Sequence, residues 1–492
     1  MSLFLHFRNV RHAIFQTTRA CNLSCSYCYA NSAPMAGHRM SPETFRKGVD
    51  LLLAPSVSDQ VTIQFHGGEP LLLPQEWYDE AVSYARRVLS REGRVLRFFL
   101  QTNATLATSE RIAPLAGLGI RFSTSSDGPP AIADALRGKG AEVMRGRRVL
   151  EAFQEGSVGV VTVLTPANCP RIDEVLDYFE AEGVRDFETV LLYRFGRAEG
   201  LETRTSAALV FEARKRILDR MIQSRGEGLL DRTVAEYVLS YVFGRRKDRP
   251  ENRSCGSFFC GAGTSVVAVS WDGGVYPCHK SIEEPRWRLL DLAAPGDGGE
   301  NANWTAGLDS YHHKGSFWFD CDSCPARTIC TYSCSAFYVD GSGDEARECA
   351  FTKLFHRHLV EREAEVRELA LALAARRRPV TVENPGDAEP VDPERVLAGL
   401  SHLAEFARDP GRRVLGWSSR GHVVEIAGRT YLLASGPTRV LEIAPAVARA
   451  LRAEGAGNPE AAQRELAAEV GDREALAAWV ALPPVPAGSR AG

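Results

Sequence analysis

The sequence predicts an α/β protein whose main body is a parallel sheet with helices outside it, curled into an open barrel. Three observations carry this. Between residue 13 and about residue 195, β-type runs alternate with longer helical patterns: Ala13 to Thr17, Val61 to His66, Arg97 to Gln101, Ile120 to Ser125, Val158 to Leu164 and Phe187 to Leu192. Serial β-α units of this kind favour parallel strands covered by helices. A cysteine-rich stretch follows, from Cys255 to Cys349, and the tail beyond it has no cysteine. The expected organisation is a barrel over 1–245, a cysteine-rich domain with a closing helix over 246–378, a linker over 379–396 and a small α+β module over 397–492.

Composition sets limits. With 492 residues and 44% hydrophobic content the chain can bury large cores, and the length allows roughly three domains. A net charge of −3 excludes a strong overall field for nucleic acid or an anionic membrane, so a peptide partner must be recognised locally. There is no apolar run of about 18 residues, and the amino end carries charges inside its apolar stretch without a small-residue cleavage site. The expected location is the cytoplasm, with no membrane partner. There thiols stay reduced, and twelve cysteines then argue for metal ligation over disulfides.

The first strand runs into CNLSCSYC, where Cys21, Cys25 and Cys28 present three thiolates at the carboxyl end of a strand, the place where α/β barrels put reactive groups. A 4Fe-4S cube takes four ligands, so three thiolates leave one iron open, whereas clusters that only move electrons are usually held by four cysteines. A zinc knuckle or buried reduced thiols is the competing reading. Spacing and setting resemble the radical S-adenosylmethionine (SAM) superfamily. The resemblance implies a partial (β/α)6 barrel in which the open iron chelates SAM, and in which an electron from the cluster splits SAM to a 5'-deoxyadenosyl radical. By the same resemblance Tyr27, inside the motif, counts among the SAM-binding residues.

The remaining strand ends fit this order. His66-Gly67-Gly68-Glu69-Pro70 after the second strand looks like the family's GGEP motif, in which Gly67, Gly68 and Glu69 meet the amino end of SAM. Paired glycines let backbone approach a ligand that side chains would exclude. After the third strand, Gln101-Thr102-Asn103 resembles a TNG-like segment with Ala104 in place of glycine. After the fourth, Ser125-Ser126-Asp127-Gly128-Pro129 resembles SxDGP, whose serine and aspartate face the SAM ribose and the substrate. Arg137 resembles the arginine of HDxxR that pairs with the SAM carboxylate, a task suited to a forked guanidinium; Ala133 stands where histidine is usual. In isolation each motif also reads as an ordinary loop, an Asp-Gly turn or a surface arginine.

The second cysteine field reads Cys255, Cys260, Cys278, then Cys321-x2-Cys324-x5-Cys330-x3-Cys334, and Cys349. It resembles the SPASM domain of radical SAM peptide maturases. That resemblance implies two auxiliary 4Fe-4S clusters, three clusters in all: one on Cys255, Cys260, Cys278 and Cys334, the other on Cys321, Cys324, Cys330 and Cys349. Zinc is the alternative for Cys321 and Cys324. Cys169, before Pro170, has no partner set and reads as a buried thiol. Around Trp271-Asp272-Gly273-Gly274 an Asp-Gly turn predicts a hairpin from Gly263 to Tyr276. In the sulfatase-maturing members an aspartate base follows the hairpin's cysteine; here His279 stands there, a candidate base or a hydrogen-bond donor beside a cluster.

Phe351 to Arg378 predicts a closing helix. In the tail, His422 to Ile426 and Thr430 to Ala434 predict two strands, and Pro445 to Glu454 and Pro459 to Val470 two helices, each opened by proline. This order resembles the small PqqD-like, winged-helix-type domains that bind a leader peptide as an added strand; a structural cap or dimerisation module is the competing reading. The expected function is therefore a radical SAM/SPASM enzyme acting on a side chain of a ribosomally made precursor peptide, to give a crosslink, thioether or oxidised residue, with a flavodoxin or ferredoxin as electron donor. Anaerobic sulfatase maturation is the alternative within the class, followed by small-molecule dehydrogenation. A non-catalytic zinc-stapled binding protein is the alternative outside it.

Overall fold

The computed structural model describes residues 9–243 apart from 35, 36, 194 and 202–204; 261–293 apart from 283; 324–330, 334 and 344–376; and, in the tail, 413–418, 421–426, 429–434, 440–442 and 449. These residues fall into two compact units, one with the barrel and its cysteine loop, the other with the tail.

In the first unit, strands β1 (His12–Thr18), β2 (Gln60–Gly67), β3 (Val95–Thr102), β4 (Ile120–Ser125), β5 (Gly159–Leu164) and β6 (Asp186–Leu191) lie side by side in chain order, all parallel. They match the six expected runs to within two residues. A short β7 (Leu230–Asp231) extends the sheet past β6. Helices α1 (Pro42–Gly48), α2 (Gln75–Leu89), α3 (Ser109–Gly117), α4 (Pro130–Leu136), α5 (Gly140–Glu151), α6 (Ile172–Ala181), α7 (Ala207–Gln223) and α8 (Arg232–Phe243) make the crossovers. Several open on the expected chemistry: Ser41 accepts the Thr44 N–H ahead of α1, with Pro42 at its first position, and Ser206 caps α7 through Leu209.

Alternation along β1 sets the layers. Ala13 and Phe15 join the apolar cluster beneath α1 and α2, where Phe15, Phe45 and Phe65 are fully buried and Phe15 and Phe45 rings pack at 4.7 Å. Burying each of these rings is worth about 1.5–3 kcal/mol. Ile14 faces the other way, into a cluster with Ala268, Tyr276 and Trp287.

Those partners come from the cysteine-rich region, and here the structure goes beyond the sequence. The predicted hairpin forms as β8 (Val266–Val269) and β9 (Gly274–Tyr276), but it is part of the barrel sheet: β8 pairs in parallel with β1, and β10 (Leu290–Asp291) closes the edge against β9. The result is a ten-stranded sheet, not a six-stranded one. The closing helix is two helices, α9 (Asp344–Glu361) and α10 (Glu363–Arg376), separated at Arg362, whose guanidinium pairs with Asp219 of α7. Among the described residues no helix is long and apolar enough to cross a membrane.

In the second unit the tail has four antiparallel strands where two were expected: β11 (Arg413–Ser418), β12 (Gly421–Ile426), β13 (Arg429–Ala434) and β14 (Val440–Glu442), in sequential order. The sequence reading missed β11 because a register shift between Val414 and Gly416 breaks its alternation. The linker and, apart from Arg449, both predicted tail helices lie outside the described residues.

Candidate functional site

The strand ends of the barrel gather around the loop after β1. Cys21 N–H donates to the Ala33 carbonyl (3.0 Å), Ser26 N–H to Leu136 at the end of α4 (2.9 Å), and Cys28 N–H to Cys25 (3.2 Å). This puts Cys21, Cys25 and Cys28 within electrostatic reach of one another. Burial pushes the Cys21 thiol up to about 12, and pushes Cys25 up as well. Bare, these thiols stay protonated at neutral pH; a bound metal's charge would draw the protons off. Among the described residues no three His, Cys, Asp or Glu side chains converge on a single-ion site. Cys21 Sγ also accepts from Leu23 N–H (3.4 Å) and from Asn103 Nδ2 (3.7 Å), the kind of contact to ligand sulfur that tunes a cluster. The donor set therefore fits an iron-sulfur group.

At the end of β2 the paired glycines have a packing role. An added Cβ would stand 2.3 Å from the Thr18 carbonyl oxygen at Gly67 and 2.0 Å from that of Ala20 at Gly68. Gly68 N–H donates to Thr18 (2.7 Å) and Glu69 N–H to Ala20 (2.8 Å). The close approach that glycine permits is first of all to the cysteine loop's own backbone. Glu69 is fully buried and accepts from Leu71 N–H (2.9 Å), Thr102 Oγ1 (2.7 Å) and Asn103 N–H (2.7 Å). It forms no ion pair among the described residues, and burial pushes its carboxyl up to about 7 against those three donors. Ala104, in the glycine place, adopts φ +59°.

Asp127, after β4, is equally buried but saturated: Oδ2 accepts from Arg137 Nε (2.8 Å) and from the Tyr27 hydroxyl, and Oδ1 from Val163 N–H (3.1 Å). Arg137 lies 5.3 Å over the Tyr27 ring. Burial alone would lower its pKa, but Asp127 with Tyr27 and Cys25 raises it, so the guanidinium is held charged. Ser125 Oγ accepts from Gln101 Nε2 (2.9 Å), whose Oε1 accepts from Ser123 (2.5 Å), a polar line across β3 and β4.

His279 follows Cys278 behind β9. Its ring lies 5.6 Å from both His66 and Tyr29, and its Nδ1 is buried without a hydrogen-bond partner among the described residues. Burial, then Lys280, His66 and His12, hold it well below the usual imidazole range, so the ring is neutral, with one nitrogen donating and the other accepting. Cys278 and Cys334 pack against the same apolar cluster as Ile14 and Phe195; Cys330 and Cys349 are described with this unit and Cys324 with the second. Cys255, Cys260 and Cys321 lie outside the described residues. Cys169 is a buried thiol pushed to about 12 by burial.

Sequence reasoning missed Gly196 and Arg197, just past β6. Arg197 N–H donates to the Cys28 carbonyl (3.1 Å) and its Nε to that of Cys25 (2.7 Å). No spacing rule reaches a pair 172 residues apart in sequence. It also missed His66, whose Nδ1 accepts the Gly67 N–H (2.7 Å), placing the ring proton on Nε2.

Comparison with known proteins bears on the family and the fold. Residues 15–180 match the model of the radical SAM superfamily. An uncharacterised protein of Methanocaldococcus jannaschii is 33% identical over 189 residues, 37% of this chain and 63% of the relative, so the chain spans just under two thirds of that protein's length. An AdoMet-dependent heme synthase of Nitratidesulfovibrio vulgaris is 26% identical over 279 residues, 54% of this chain and 72% of its own. Mycofactocin maturase of Mycobacterium tuberculosis is 27% identical over 275 residues, 55% and 64% respectively. The solved structure of anSMEcpe with bound AdoMet and a peptide shares the fold at a TM-score of 0.58 and 19% identity, over 74% of this chain and 99% of that one.

Proposed function

The chain carries a radical SAM domain, and from that premise we propose that it is a peptide maturase acting on a side chain of a ribosomally made precursor. With cluster and SAM bound, one electron would cleave SAM to methionine and a 5'-deoxyadenosyl radical, which takes a hydrogen atom from the substrate and leaves as 5'-deoxyadenosine. The observation that carries this reading is the pairing of complementary ends around the three-cysteine loop: a buried carboxylate at Glu69 with no ion pair among the described residues, and a buried guanidinium at Arg137 whose Nε is taken by Asp127. An amino acid's ammonium and carboxylate, such as SAM carries, would be received by that pair.

In this reading Cys21, Cys25 and Cys28 hold three corners of the cluster, and Asn103 orients Cys21. Gly67 and Gly68 bring Glu69 against the loop, Tyr27 and Asp127 fix Arg137, and Ser125 offers a hydroxyl toward the ribose. His279, kept neutral, is the base that accepts the proton released as the substrate radical is oxidised. The cysteine sets of the second field would hold two auxiliary clusters that carry the electrons away, with a flavodoxin or ferredoxin supplying the first. A peptide substrate is supported by the maturase among the relatives and by the antiparallel tail sheet, whose edge strand could receive a leader peptide. The heme synthase relative favours a second reading, a small-molecule substrate.

The test is anaerobic reconstitution with iron and sulfide, then SAM and dithionite. Formation of 5'-deoxyadenosine, abolished by Cys25→Ala, is expected; its absence from fully loaded protein, or zinc without iron or sulfide in anaerobically purified protein, overturns the enzyme. Co-expression with short reading frames neighbouring the gene, followed by mass spectrometry, then separates the substrates. A mass change in the peptide is expected, whereas a formylglycine in a neighbouring sulfatase or turnover of a tetrapyrrole alone decides for the alternatives.

A further inference from the structure

The loop that carries the three cysteines is braced from several sides, and the braces from motifs already assigned include Leu136 ahead of Arg137, Asn103 and the Gly67-Gly68-Glu69 backbone. A further one comes from Phe195-Gly196-Arg197, which no motif covers. Gly196 has φ +56°, and a Cβ there would stand 2.5 Å from the Cys28 carbonyl oxygen and 2.6 Å from that of Tyr29. Only glycine lets this segment lie flat against the loop. Phe195, fully buried in the cluster that also receives Cys278 and Cys334, anchors one end of the segment. Arg197 grips the loop twice, through its own N–H on Cys28 and its Nε on Cys25.

Its guanidinium has more to give. Nη2 is buried with no hydrogen-bond partner among the described residues, and the Nε bond to the Cys25 carbonyl sets the guanidinium charge beside that cysteine. A buried guanidinium donor without an acceptor costs about 1–3 kcal/mol, more for a charged group, so the site is incomplete as described.

We propose that Arg197 is a positioning residue for the SAM-binding cluster: it fixes the Cys25–Cys28 arm of the loop and, by its charge, raises the reduction potential of the cluster that the arm would hold. The inference rests on the reading given under Proposed function. A fixed positive charge favours the reduced, more anionic state, and groups outside the ligand set commonly set both retention and potential.

The test uses the full-length reconstituted protein and follows the electron paramagnetic resonance signal that changes on adding SAM, because only a cluster with an open iron responds. In Arg197→Met that signal's midpoint should shift to lower potential, and iron should be lost to a chelator roughly 10-fold faster or more. Arg197→Lys keeps the charge without the fork, so its potential should stay near the parent's while iron loss still accelerates. An unmoved potential in Arg197→Met overturns the proposal even if the melting temperature falls. If Arg197→Met does not fold, Arg197→Lys decides alone, and parental iron retention in it overturns the proposal. A parent protein with no SAM-responsive signal overturns the underlying reading instead, and this inference with it.

Discussion

Glu69 and Asp127 stand at the ends of β2 and β4, both fully buried carboxylates, yet their surroundings are opposite. Asp127 has its cation and two further donors in the protein, and so acts as an anchor that keeps Arg137 charged and oriented. Glu69 has three neutral donors and no ion pair, and burial drives it toward neutrality. Arg111 acts on Glu69 only through its field, and a buried carboxylate without an ion pair is expensive to keep ionised. Under the proposed function both sides serve the ligand: Asp127 holds Arg137 in place for a carboxylate, while Glu69 is left open to an ammonium.

The largest effect expected is on the saturated side. Asp127→Ala leaves Arg137 buried and unpaired and the Tyr27 hydroxyl without its acceptor, which should cost about 3–5 kcal/mol in thermal or denaturant unfolding. A loss below about 1 kcal/mol would show that Arg137 finds solvent and that the anchor role is wrong. Next comes the pH dependence of the open side. With a folded pKa of about 7 against an unfolded value near 4.5, ligand-free protein binds the extra proton between these pH values. Glu69 therefore makes stability fall as pH rises from about 4.5 to about 7, by about 3 kcal/mol at most. His12 and His66, both held down to about 4 by burial, act with the opposite sign, losing stability as pH falls from 6.5 toward 4. The Glu69 contribution is thus read as the difference between parent and Glu69→Gln, and equal pH slopes in the two would remove it.

A smaller effect is expected on binding. Glu69→Gln keeps an oxygen for Leu71 and Thr102 and loses the acceptor for Asn103 N–H, so its stability should change by less than about 1.5 kcal/mol. Its affinity for SAM, measured by calorimetry at pH 8, should nevertheless fall by about 1.5–3 kcal/mol, the size of a charge-assisted hydrogen bond. The parent's affinity should itself weaken as pH drops below about 7. Unchanged affinity in the variant would leave Glu69 a purely structural acid.

The barrel was legible in the sequence because β-type runs alternate with helical patterns along the chain, and β4, Ile120 to Ser125, was placed to the residue, its buried Ile120 and Phe122 flanking exposed Arg121. Cys21, Glu69 and Arg137 entered the reading through the order of motifs along the chain: Cys21 and Glu69 follow β1 and β2, and Arg137 ends α4. What escaped is long-range. Nothing in Val266–Val269 announces pairing with β1, since a hairpin carries the same local pattern whether it stands alone or joins a sheet. Arg197 escaped because its partners are backbone carbonyls, which leave no mark in side-chain spacing. The direction in which Asp127 faces escaped because a motif names a residue without saying whether the protein has already used its oxygens.

Ala104 gives the smallest effect and the finest probe of the Glu69 side. Its φ of +59° puts a Cβ-bearing residue in the left-handed region, at a cost of roughly 1–2 kcal/mol, directly after the Asn103 N–H that Glu69 accepts. Ala104→Gly relieves that strain, but it removes a fully buried methyl worth about 0.8 kcal/mol and loosens the unfolded chain by about 0.4–1 kcal/mol. These terms nearly cancel, so unfolding free energy should move by less than about 1 kcal/mol and SAM affinity should stay put. A clear loss of affinity at unchanged stability would mean that the strain itself holds Asn103 on Glu69, and that the open carboxylate depends on the backbone as much as on burial.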